Sequence, residues 1–221
     1  MRNKKNLKAI ISATHFSLKN IGFIRFVPYI TFDFLYPILL IWSRKSSIDI
    51  NNLEIYFLQF TQIVFPFFSV WNTILISREY MESEGNEVLY LHRSIGLFCL
   101  KLMTFSLPFF NVALLMIITC YFIPSFSFEI FRILSACVFF FGLCCFILCI
   151  FKSTIFSFLG CAIYLLSNYF IKGEKIIAFF YMSNVALNAE GLLITCLPLL
   201  LGGLLFLFLD KAVSNRFKIF N

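Results

Sequence analysis

Six runs of largely apolar residues dominate this sequence: 26–42, 55–76, 102–123, 133–151, 154–171 and 192–209. Each is 17 to 22 residues long, and about 20 such residues make a helix that crosses the hydrocarbon of a bilayer. Within hydrocarbon every main-chain N–H and C=O must be satisfied, and a helix does this inside its own segment. The pattern therefore predicts an all-α membrane protein with six transmembrane helices forming one domain over residues 1–221. Composition agrees: 61% of the residues are hydrophobic, only 13% are charged, and 32 are Phe. A soluble fold of this size has too little interior to hide that much apolar surface. A disordered chain, a nucleic-acid-binding domain and an ordinary cytosolic enzyme are excluded on the same ground.

The formal net charge is +7, but the basic residues sit in short segments between the apolar runs. There they act as topology signals rather than as a nucleic-acid footprint. With the N-terminus inside, 13 of the 18 Lys and Arg fall on the cytoplasmic side. Arg44, Lys45, Arg132, Lys172 and Lys175 fall outside. The expectation is a multi-pass protein of the cell membrane with both termini cytoplasmic.

Residues 1–25 do not read as a signal peptide, because Ala9–Ala13 is too short for its apolar region. Leu7, Ile10, Ile11, Thr14, Leu18 and Ile21 recur at helical spacing among Lys4, Lys5, Lys8 and Lys19. This predicts an amphipathic helix on the cytoplasmic membrane surface.

Within the runs, Asp33 costs about 2.5–3.5 kcal/mol to insert. It calls for a basic partner, with Arg25 two helical turns away, or for a water-filled cavity. Pro66, Pro108 and Pro198 predict kinks. Gly202 and Gly203 permit close helix approach. The eight Cys lie in or beside the apolar runs with no C-x-x-C pair. They read as small packing residues rather than as a disulfide framework or a zinc site.

Two connections are long. The external one, 172–191, carries the apolar stretch Ile176, Ile177, Phe179, Phe180, Tyr181 and Met182. Too short to span, it predicts a re-entrant or interfacial segment. The cytoplasmic one, 77–101, holds Glu79, Glu82, Glu84 and Glu87, four of the eleven acidic residues in the chain. Gly85-Asn86 separates two acidic pairs at i,i+3 spacing, and Val88, Leu89 and Leu91 follow. Acidic and apolar groups together predict two short helices at a bend that dock another protein.

The run Arg78, Glu79, Glu82, Glu84-Gly85, Glu87, Leu89, Leu91, Arg93 and Lys101 resembles the loop between the second and third spans of type-two ABC exporter permeases. His92 stands about where that family has a proline. The six-span plan and the N-terminal amphipathic helix are similar to the family as well. The resemblance implies that residues 77–101 form a cytoplasmic coupling helix seated on a separate ABC ATPase subunit. Arg78, Glu79, Glu82, Glu84, Gly85, Glu87, Leu89 and Arg93 are then the coupling residues. It also implies pairing with a second permease copy or a sister permease, and contact with membrane lipid. The chain carries no G-x-x-x-x-G-K-[ST] phosphate loop. No cofactor is therefore expected in this chain, ATP and Mg belonging to the partner. An amphipathic or apolar cargo, such as an antimicrobial peptide for export or self-immunity, is the expectation by family analogy.

Two other readings stay open. A substrate-binding membrane component of a vitamin importer also has about six spans and would place polar residues such as Tyr164, Asn168 and Tyr169 in a pocket. An intramembrane enzyme would need Asp33, Asn72, Lys101, Asn111, Lys152, Asn168, His15 or His92 to converge. No His lies within a span.

Overall fold

The computed structural model describes residues 19–45, 50–81, 97–171, 181–183 and 189–219. Six helices in it are long and apolar enough to cross a membrane, as a multi-pass membrane protein requires. Span 1 is Gly22–Trp42, span 2 Glu54–Arg78, span 3 Phe98–Phe122, span 4 Glu129–Phe151, span 5 Thr154–Ile171 and span 6 Gly191–Val213. Among the described residues there is no strand. The predicted interfacial helix lies outside the described residues up to position 18. The predicted coupling helix lies largely outside them too, since 82–96 are not described.

Span 1 is irregular, and its prolines explain where. A 3-10 turn, Gly22–Phe26, leads into Val27–Tyr29, then a π-helical stretch, Ile30–Leu35, and a regular α-helix, Tyr36–Lys45. The ring of Pro37 would collide with the carbonyl of Asp33 in an α-helix. Widening to the π form just before Pro37 relieves that clash. Span 2 is built from Ile50–Ser69 and Trp71–Met81, interrupted at Val70, four residues after Pro66. Spans 4 and 5 are joined by a tight reversal in which Lys152 takes a left-handed conformation and its N–H closes on the Leu148 carbonyl at 3.0 Å.

Span 4 is the hub, packing against spans 2, 3, 5 and 6. Its Phe140, Phe141, Cys144, Cys145 and Leu148 are buried. Phe105 of span 3 stacks on Phe141 at 4.2 Å between ring centroids. Spans 4 and 6 cross so closely that a Cβ on Gly142 would strike the Gly203 carbonyl. A Cβ on Gly203 would stand 2.9 Å from the Phe139 Cα. Span 1 leans on span 2 through Phe32 and Tyr36, whose rings sit 5.1 Å and 5.0 Å from that of Phe65.

Consecutive spans run up and down, so two ends of the bundle can be defined. The near end carries Gly22, Arg78, Phe98, Phe151, Thr154 and Val213. The far end carries Trp42, Glu54, Phe122, Glu129, Ile171 and Gly191. Spans 1, 3 and 4 each begin four residues before the apolar runs that announce them. In spans 3 and 4 the added turn contains charged residues, Lys101, Glu129 and Arg132, that are buried and paired.

Candidate functional site

Arg78 is exposed at the near end of span 2, and the helix continues past it through Glu79 to Met81. Glu82, Glu84, Gly85, Glu87, Leu89 and Arg93 of the expected coupling set lie outside the described residues.

Directly behind Arg78, a chain of polar contacts ties spans 2, 3 and 6 together. The Ser77 hydroxyl donates to the Thr73 carbonyl at 2.7 Å. The hydroxyls of Thr73 and Thr104 meet at 3.4 Å across spans 2 and 3. Thr104 donates to the Lys101 carbonyl at 2.9 Å, so in the contact with Thr73 it is the acceptor. One turn on, the Lys101 ammonium stands 3.7 Å from the Asp210 carboxylate of span 6, with both side chains buried. Lys101 thus belongs to the interior of span 3, not to the connection where its charge alone would place it. Removing both charges from water costs several kcal/mol per ion, and their mutual attraction offsets this only while both are present. Cys149 Sγ approaches the Asp210 carbonyl at 3.7 Å. Ser157 of span 5 donates to the Cys144 carbonyl at 3.2 Å.

At mid-span, Asp33 of span 1 accepts a 2.9 Å hydrogen bond from the Asn111 side chain of span 3. Its partner is an amide, not Arg25, whose guanidinium lies over the Phe26 ring at 4.5 Å from the centroid. The π-helical turn aims Asp33 sideways at span 3, whereas Arg25 lies at the near end of its own helix. Farther along the same pair of spans, Thr119 donates to the Leu115 carbonyl at 2.8 Å. The Tyr36 hydroxyl is therefore the donor in its 2.7 Å contact with Thr119.

At the far end, Arg132 holds Glu129 through two hydrogen bonds of 2.8 and 2.6 Å, and both residues are buried. Beside them Tyr181 enters the bundle from the connection between spans 5 and 6. Its N–H donates to Asn168 Oδ1 at 2.9 Å. Its hydroxyl donates to the Gln62 carbonyl at 2.7 Å. The Ser183 N–H donates to Gln62 Oε1 at 3.0 Å. Burial pushes the Tyr181 phenol well above its usual range, which keeps it a neutral donor. Residues 172–180 and 184–188 of this expected re-entrant or interfacial segment lie outside the described residues.

Among the described residues, the polar side chains considered for a reaction centre pair off separately. Asn111 is with Asp33, Lys101 with Asp210 and Asn168 with Tyr181, in three separate parts of the bundle. Asn72 is buried on span 2, Lys152 is exposed at the end of span 4, and His15 and His92 lie outside the described residues. Of the three residues considered for a vitamin pocket, Asn168 is fully buried and engaged in holding Tyr181. Tyr164 packs on Phe139 and Phe140, and Tyr169 is exposed. All eight cysteines are free thiols, and five of them are buried. Among the described residues no group of three or more His, Cys, Asp or Glu could hold a metal ion.

Gln62, Glu129 and Asp210 escaped the sequence reading, and Tyr181 entered it only as part of an apolar stretch. Two signals in the sequence bear on Gln62 and Asp210. Pro66 lacks the N–H that would close on the Gln62 carbonyl, so that carbonyl needed an outside donor. Lys101 and Asp210 carry opposite charges at the same end of their spans, the arrangement of an interhelical pair. Comparison with known proteins gives no match: no family model, no curated protein and no solved structure matches the chain.

Proposed function

We propose that the chain is the membrane-spanning subunit of an ABC exporter, driven by ATP that a separate subunit hydrolyses. The observation that carries this reading is the 77–101 connection. Its acidic and apolar residues, Glu79 through Leu91, flanked by Arg78 and Arg93, are strung between two spans whose adjoining ends are tied into the bundle. A docked segment that moves would pull on spans 2 and 3 together through Thr73 and Thr104. It would reach span 6 through Lys101 and Asp210. Spans 2, 3 and 6 thus share one mechanical base. The interruption of span 2 at Val70, after Pro66, is the place for that base to bend against the far half of the helix.

In this reading the near end faces the cytoplasm. Lys101 and Arg132 are neutralised by buried partners and drop out of the topology count. The remaining Lys and Arg divide 12 against 4 in favour of the near end. The chain performs no chemistry on its cargo. The partner ATPase binds ATP and Mg, and two permease copies or a permease and a sister subunit enclose the path. An amphipathic cargo, a peptide for export or self-immunity, suits the Phe-rich spans.

Charge reversal tests the coupling role. Glu84→Lys with Glu87→Lys should abolish copurification of the ATPase and ATP-driven cargo release, while membrane insertion is unchanged. Like charges set against each other across a docked interface cost several kcal/mol. A double variant that binds its ATPase and transports as the parent does would refute the assignment. Release that continues with an ATPase unable to hydrolyse ATP would point to a channel instead.

A further inference from the structure

We infer that the outer face of spans 1 and 3, centred on Asp33 and Asn111, is where a second copy of this chain packs. The inference rests on the exporter reading only in its use of two copies.

Asp33 is exposed on the surface of the six-span bundle, and its described hydrogen bond comes from Asn111 Nδ2 to Oδ1. That bond uses one carboxyl oxygen and one amide N–H. The other oxygen of Asp33, and the second N–H and the carbonyl of Asn111, remain for an outside partner. All around them the surface is apolar. Phe34 is 67% exposed and Ile38 62% on span 1; Phe110 is 69% exposed and Leu114 57% on span 3. Asp33 lies near the middle of Gly22–Trp42 and Asn111 near the middle of Phe98–Phe122. The pair therefore meets lipid tails at the depth where an ionisable side chain costs most and where lipid offers no hydrogen-bond donor. Polar side chains in spans are stabilised by facing protein, where they act as interhelical glue.

The chemistry selects the occupant. Two copies inserted with the same orientation are related by a two-fold axis along the membrane normal, which keeps every residue at its own depth. Asp33 and Asn111 are bonded to each other and so share one depth. The axis sets each pair against its own copy, where the spare Asn111 N–H of one chain meets the spare Asp33 oxygen of the other, twice over. The donor and acceptor set is self-complementary at a single level. The flanking rows at Ile30, Phe34, Ile38 and Ile41 and at Leu107, Phe110, Leu114 and Tyr121 are exposed at helical spacing and would close above and below it.

Photo-crosslinking in cell membranes tests the face. A photoreactive phenylalanine replaces Phe34 or Phe110, and in control chains Phe156 or Phe170 on span 5, which are 54% and 79% exposed. The expected result is a covalent self-pair at twice the chain mass from positions 34 and 110, identified by its peptides, and none from 156 or 170. Adding Asp33→Leu with Asn111→Leu should cut the self-pair about tenfold. Asp33→Asn, which still donates and accepts, should retain it. Adducts only to lipid or to a different protein at 34 and 110 would overturn the inference. Self-pairs from 156 and 170 alone would overturn this face yet keep two-copy pairing. Absence of self-pairs at all four positions would remove pairing itself, while the ATPase copurification test stands apart from either outcome.

Discussion

The Tyr181 hydroxyl donates to the main-chain carbonyl of Gln62 at 2.7 Å, and this is the carbonyl that Pro66 leaves without its helical N–H. A proline that weakens span 2 is thus matched by a tyrosine from a connection 119 residues farther along the chain. The same contact ties the segment between spans 5 and 6 to the kink in span 2.

Tyr181→Phe should destabilise the protein in mild detergent by about 1–3 kcal/mol, since it leaves a buried carbonyl unsatisfied. Its pH dependence distinguishes this from lost packing. In the folded chain the phenol is held well above the ordinary value of 10.0, whereas in the unfolded chain it ionises normally. Above pH 10 the unfolded state therefore releases a proton that the folded state keeps, and stability falls by about 1.4 kcal/mol per pH unit per such group. The full contribution is present below pH 10 and fades above it. The stability gap between the parent and Tyr181→Phe should accordingly narrow from pH 9 to pH 11. A gap that stays constant would show that the hydroxyl is not the group responsible.

The Lys101–Asp210 pair should behave as a unit. Lys101→Met alone or Asp210→Leu alone leaves one buried charge uncompensated, and each should cost about 3–5 kcal/mol of unfolding stability. The double variant should recover most of that loss, because no charge is left in the interior. Thermal unfolding of the four chains in one detergent gives the coupling directly. In transport the double variant should stay impaired relative to its stability, if span 6 follows span 3 through this pair. Additive losses without recovery would show that the two residues act independently.

The spans were legible because hydrocarbon admits only one kind of segment, and apolar length announces it. Their ends were not, for a reason visible in three residues. Lys101, Glu129 and Arg132 read as loop charges because a single charge in a span is costly. Each is admitted to its span by a partner, Asp210 for Lys101 and the Glu129–Arg132 pair for itself. Pairing across 109 residues leaves no mark on local hydropathy. Asp33 was legible as an anomaly, but its partner was not. Arg25 was suggested by proximity along the chain, whereas Asn111 is brought in by the packing of span 3 and the π-helical turn at Ile30–Leu35. The 77–101 pattern was conspicuous in the sequence, and of its expected coupling residues Arg78 and Glu79 fall within the described helix.

Close approach of spans 4 and 6 makes a third prediction. Gly142 and Gly203 sit where the two backbones cross, and a methyl at either position meets main-chain atoms rather than a side chain that could swing away. Gly142→Ala should force the helices apart and cost about 1–3 kcal/mol, the usual penalty of overpacking. Gly202→Ala, one position from the crossing glycine, is the control and should cost less. Unfolding midpoints of the three chains check this, and equal losses from Gly142→Ala and Gly202→Ala would refute the crossing.

Orientation gives the last prediction. If the excess of Lys and Arg at the near end marks the cytoplasmic side, as the exporter reading requires, the 43–53 connection and the turn at Pro124–Phe126 should face outward. Cys99, at the near end, is the one exposed native thiol. In a Cys99→Ser chain the remaining thiols lie within the spans, none of them exposed, out of reach of a membrane-impermeant reagent. Single cysteines introduced at Ser47, Ser83 or Ser127 then report on one side each. In intact cells a membrane-impermeant thiol reagent should label the chains changed at Ser47 and Ser127, but not the chain changed at Ser83. After the cells are opened, the third should label as well. Labelling at Ser83 but not at Ser47 in intact cells would invert the orientation. That result would place the acidic 77–101 connection outside, beyond the reach of any cytoplasmic ATPase, and the exporter reading would fall with it.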